Sequence, residues 1–105
     1  MSEPGQGAAA SAGAPSLFLV ERRLPKIDDH QLTVLQSVLT RTASRFSARG
    51  DGVQLLGSLF LAGQGRLLSL FSADSAEAVR AVNEASLIPF ASIEPAVSWP
   101  GAGGP

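Results

Sequence analysis

The chain has 105 residues, 45% of them apolar and 16% charged, with a formal net charge of −1 and no cysteine. That balance excludes a broad cationic face for nucleic-acid backbones, and the missing cysteine excludes disulfides, thiolate metal sites, iron–sulfur clusters and a cysteine nucleophile. A chain this short has room for one small domain that buries roughly 60–65% of its extended-chain surface, and its high apolar share points to association that hides more.

Residues 1–16, MSEPGQGAAASAGAPS, are rich in Ala, Gly, Ser and Pro and are expected to form a disordered tail. They hold no Lys or Arg and no long aliphatic stretch, so they do not read as a secretory signal. No apolar run approaches the ~20 residues of a membrane-spanning helix, and a cytoplasmic protein with no membrane partner is expected. Leu17–Arg23, LFLVERR, reads as the first strand, which Pro25 ends. Arg22, Arg23 and Lys26 lie among Glu21, Asp28 and Asp29 and read as a solvated strand end.

Asp28 or Asp29 is a good N-cap for a helix whose face carries Leu32, Leu35, Leu39, Thr42 and Phe46. Gly50-Asp51-Gly52 ends it. Val53–Ala62 forms a second strand, Gly63-Gln64-Gly65 a tight turn, and Arg66–Ser72 a third strand. Strict alternation puts Val53, Leu55, Leu59 and Leu61 on one face of the second strand, with Leu56 and Phe60 on the other beside Gln54 and Ser58. Asp74 or Ser75 caps a second helix through about Ser86 that turns Val79 and Val82 inward. Pro89 closes that segment, and Ser92–Val97, with Pro95, suits an edge strand.

Residues 98–105, SWPGAGGP, read as a flexible tail in which Trp99 either folds back on the domain or a partner subunit or shares the disorder. The domain is therefore 17–97, in the order βαββαβ. This predicts an α+β ferredoxin-like sandwich, a four-stranded antiparallel sheet with two helices on one face, against a rival irregular α+β domain. Three strands carry apolar residues on both faces, so the uncovered face is expected to pack on a second copy as a dimeric α/β barrel. Each large apolar side chain left in water forgoes about 1.5–3 kcal/mol.

Catalytic signals are sparse. His30 is the single histidine and stands beside Asp28 and Asp29, where capping explains the acids better than a metal does. No serine is framed as Gly-Xaa-Ser-Xaa-Gly, and neither glycine pair opens a helix after a strand, so hydrolase and phosphate-loop readings fail. Glu21, closing an apolar strand, is the most interesting polar residue: it either pairs with a nearby arginine or serves a pocket. Glu94, Asn83 and Glu84 are weaker candidates.

LFLVERRLP at 17–25, the Gly57-Ser58 strand, RLLSLFSADSAEAVRAVNEASLIP at 66–89 and the closing SIEPAV resemble a family of small bacterial ferredoxin-like proteins that includes nickel-binding members. The resemblance spans the whole domain. It implies a homodimer through the sheet face and a pocket there for a small molecule or a divalent metal such as nickel. Family members often show cysteine where this chain has Ser69, histidine where it has Asn83 and glycine where it has Leu87. The implied metal residues are thus Glu21, Ser69 and Asn83, a degenerate site without imidazole or thiolate. The expected function is a small homodimeric ligand- or metal-binding protein. The alternatives are a non-catalytic dimeric accessory or regulatory protein and a cofactor-independent monooxygenase-like enzyme.

Overall fold

The computed structural model describes residues 16–99. The disorder expected of 1–16 and 98–105 therefore falls almost wholly outside the described residues; Ser16 begins the first strand, and Trp99 is 86% exposed, so it does not fold back on its own domain.

The elements are β1 (Ser16–Arg23), α1 (Asp29–Ala48), β2 (Val53–Leu61), β3 (Arg66–Ala73), α2 (Ala76–Ala85) and β4 (Ser92–Ala96). All strand pairs are antiparallel, in the order β2-β3-β1-β4, which is the expected ferredoxin-like α+β fold. Of the two acids that could start α1, Asp28 is the cap. Its Oδ1 accepts from Gln31 N at 2.7 Å and Gln31 Oε1 accepts from Asp28 N at 3.0 Å, a reciprocal box that satisfies two amides at the helix start. Ser75 rather than Asp74 caps α2, accepting from Ala78 N at 3.1 Å.

Both helices cover one face of the sheet. Phe18 and Val20 of β1, Val53 of β2, and Phe71 and Ala73 of β3 pack with Ala43 of α1 and Val79 and Val82 of α2. A second cluster joins Leu35 and Leu39 to Leu67. The β2–β3 turn is fixed by Gly65, at φ 61°: a side chain there would collide with the Pro25 backbone, and its carbonyl accepts from Leu24 N at 2.6 Å.

Strict alternation fails in β2. Leu55 pairs with Phe71 but Gly57 pairs with Leu70, so Leu56 is an extra residue in a β-bulge. Val53 and Leu55 face the helices; past the bulge the phase reverses, and Ser58 and Phe60 face them instead. Leu59 and Leu61 fall on the uncovered face, away from Val53 and Leu55, because one inserted residue moves every following side chain to the other side.

Candidate functional site

The three residues implied as metal ligands are not brought together. Glu21 pairs with Leu68 and lies on the uncovered face, whereas Ser69 pairs with Val20 on the helix face. Asn83 is buried on α2, also on the helix side. The sheet itself separates the carboxylate from the other two, and a second copy stacked on the uncovered face would leave them separated.

Each of the three is also engaged elsewhere. Arg66 grips both Glu21 oxygens, Nε to Oε2 at 2.9 Å and Nη2 to Oε1 at 3.1 Å, and Arg23 Nε stands 3.4 Å from Oε2. That hydrogen bonding to Arg66, with the charges of Arg66 and Arg23, holds the Glu21 carboxyl below its ordinary range despite partial burial. Ser69 Oγ lies 2.8 Å from Ser58 Oγ, and Asn83 Nδ2 donates to Val79 O at 2.8 Å. Asp28 is spent as a helix cap. Among the described residues no group of three or more His, Cys, Asp or Glu is placed to hold a metal ion. These side chains do not fit a nickel centre.

Arg22 does not form a solvated strand end. It follows Phe18 and Val20 on the helix face and is 0% exposed, while its neighbour Arg23 points outward. Its Nη2 donates to Asn83 Oδ1 at 2.8 Å and to Ile88 O at 3.1 Å, and its guanidinium carbon lies 5.7 Å from the centroid of the Phe90 ring. Nε and Nη1 have no partner among the described residues. Burial without a counter-charge lowers its pKa to about 10. Period-two alternation through LFLVERR was the available signal, since it puts Phe18, Val20 and Arg22 on one side.

Two of the open surfaces among the described residues have an apolar lining suited to a partner or ligand. The first is the uncovered sheet face, where Leu56 is 49% and Leu59 69% exposed beside Leu19, Leu68 and Leu70. The second is a cleft of about 540 Å³ between α1 and the β2–β3 edge. Leu32, Phe60 and Leu67 form its apolar wall, with Gln36, Ser58 and Arg41 among its polar lining. Ser58 donates to Gln36 Oε1 at 2.9 Å and shares the 2.8 Å contact with the fully buried Ser69. Gln36 drew no attention in the sequence, because its role depends on Ser58 facing α1, and that depends on the bulge.

Among the described residues no helix is long and apolar enough to cross a membrane. No family model matches the chain, and no curated protein matches it. Among solved structures the chain is similar to SCO4226 from Streptomyces coelicolor A3(2), with a TM-score of 0.64 and 20% identity over 75% of this chain and 93% of that one. Similarity at this identity shows a shared fold: the chain is a small α+β protein of ferredoxin-like topology.

Proposed function

We propose that this protein is a small homodimeric binding module. Two copies stack their uncovered sheet faces as a dimeric α/β barrel, leaving the α1 cleft of each protomer accessible to a small ligand. The observation that carries this reading is the leucine surface of Leu17, Leu19, Leu56, Leu59, Leu61, Leu68 and Leu70 on a face that neither helix covers. Four strands ~4.8 Å apart, of eight, nine, eight and five residues, present a flat footprint of roughly 500 Å² per copy. Two such faces remove on the order of 1,000 Å² or more from water, which reaches the lower range of specific interfaces.

A second copy suits this surface better than a charged partner does. Its centre is aliphatic, and the Glu21–Arg66–Arg23 group at one end is paired within the protomer and keeps a net charge of only +1. Sedimentation equilibrium of the full chain at micromolar concentration is expected to return twice the chain mass. Leu59→Glu, which sets a charge in the middle of the leucine surface without touching the helix-side core, is expected to return one chain mass with an unchanged far-UV spectrum. A monomeric wild type overturns the dimer.

A further inference from the structure

The hydrogen-bond direction inside the α1 cleft selects a ligand class. Ser58 spends its hydroxyl proton on Gln36 Oε1 at 2.9 Å, so across the 2.8 Å contact Ser69 must be the donor and Ser58 the acceptor. The chain runs from fully buried Ser69 through Ser58 to Gln36. It fixes the Gln36 carboxamide with its oxygen toward Ser58 and leaves Nε2, on a residue that lines the cleft, without an acceptor among the described residues. Each donated bond polarises the next, which makes Nε2 a better donor than an isolated amide.

The rest of the lining agrees in sign. Arg41 is the charged residue of the cleft, and no acid lines it. The hydroxyls of Thr33 and Thr40 give their protons to backbone carbonyls, Asp29 O at 3.0 Å and Gln36 O at 2.9 Å, so they do not compete as donors. Opposite these groups, Leu32, Phe60 and Leu67 offer apolar wall, and about 540 Å³ falls within the usual size of small-molecule sites.

We infer that the cleft binds a small monocarboxylate with an apolar tail, its carboxylate held by Gln36 Nε2 and Arg41 and its tail against Leu32, Phe60 and Leu67. The inference rests on the binding-module reading and specifies its ligand. It does not depend on the dimer, because the cleft lies on the helix side of the sheet.

The test is an amide-shift titration of the full chain with sodium hexanoate and, in parallel, with hexan-1-ol, which has the same tail without the charge. Hexanoate is expected to move the resonances of residues 32–41 and 58–60 and to bind about tenfold more tightly than the alcohol, the scale of a charge-assisted hydrogen bond. Gln36→Glu keeps the acceptor for Ser58 but sets a like charge against the ligand. Arg41→Ala removes the cation from an exposed helix position. Each is expected to abolish the preference for hexanoate while leaving the alcohol's affinity unchanged.

Equal affinities for the two probes, or a hexanoate preference that survives both substitutions, overturn the carboxylate assignment and leave the binding module standing. No shift at residues 32–41 with either probe, or shifts confined to the leucine face, overturn both.

Discussion

Arg22 is a buried cation without a counter-charge, so replacing it together with its acceptor should stabilise the protein. A depression of its pKa from the ordinary arginine range to about 10 corresponds to about 3 kcal/mol against the native state at neutral pH. Arg22→Met removes that cost but leaves Asn83 Oδ1 and Ile88 O without their donor, and each orphaned buried acceptor costs about 1–3 kcal/mol. The single variant should therefore fall near or below the wild type. Arg22→Met with Asn83→Leu eliminates the larger orphan and should exceed both the single variant and the wild type by about 1–2 kcal/mol, as when buried ionic groups give way to packed apolar ones.

The pH dependence has a definite sign. Between its folded pKa of about 10 and the higher value of an ordinary arginine, the unfolded chain holds a proton on Arg22 that the native state lacks, so wild-type stability rises with pH. From pH 8 to pH 11 the wild type should gain about 1.4 kcal/mol relative to the double variant. Urea unfolding of both proteins at the two pH values measures this. A gap that is the same at pH 8 and pH 11, with the double variant less stable at both, would refute the description of Arg22 as an uncompensated charge.

Glu21 behaves in the opposite sense. Its carboxyl is lowered from 4.5 by Arg66 and Arg23, so the stabilisation it brings is complete above that value and is lost as pH falls through the lowered pKa. Glu21→Gln should lower stability in the neutral region and so flatten the acid limb of a stability–pH profile, the two proteins converging at low pH; an unaltered acid limb would count against the ion pair. Leu87 sits just past the C-cap of α2 at φ 62° and is 87% exposed, a left-handed position that favours glycine. Leu87→Gly should raise stability by about 0.5–1 kcal/mol in thermal or urea melts, the relief of a Cβ clash less the added freedom of the unfolded chain.

Hydrophobic periodicity made the element order legible. Leu32, Leu35 and Leu39 recur at helical spacing, and the glycine pairs mark the chain reversals, so helices and strands emerged close to their true ends. The faces of β2 were not legible, because nothing in VQLLGSLFL marks Leu56 as the surplus residue; the bulge exists only against the register of β3. The two positions compared with a ligating cysteine and histidine turned out to be a serine tied to Ser58 and an asparagine tied to Arg22. The family resemblance grouped Glu21, Ser69 and Asn83 without showing that the sheet runs between them. Arg22 was missed for a simpler reason: a charge in a run of charges reads as solvent-facing unless the strand's alternation is carried through to its last residue.

The bulge ties the two open surfaces to one another. Without Leu56 as a surplus residue, the phase set by Val53 and Leu55 would continue, with Leu59 and Leu61 turned to the helices and Ser58 and Phe60 turned away. The uncovered face would then lose the aliphatic residues along β2 that make it fit for a second copy. The α1 cleft would lose Phe60 from its wall and Ser58 from its floor, and with Ser58 the hydrogen bond that aims the Gln36 amide. Residues Gln54 and Val53 lie before the bulge and keep their faces either way, so the covered core around Phe71 and Ala73 is insulated from the change. Pairing Leu56 as a bulge rather than in regular register therefore sets the character of both sides of the strand while the core that holds the fold together stays as it is.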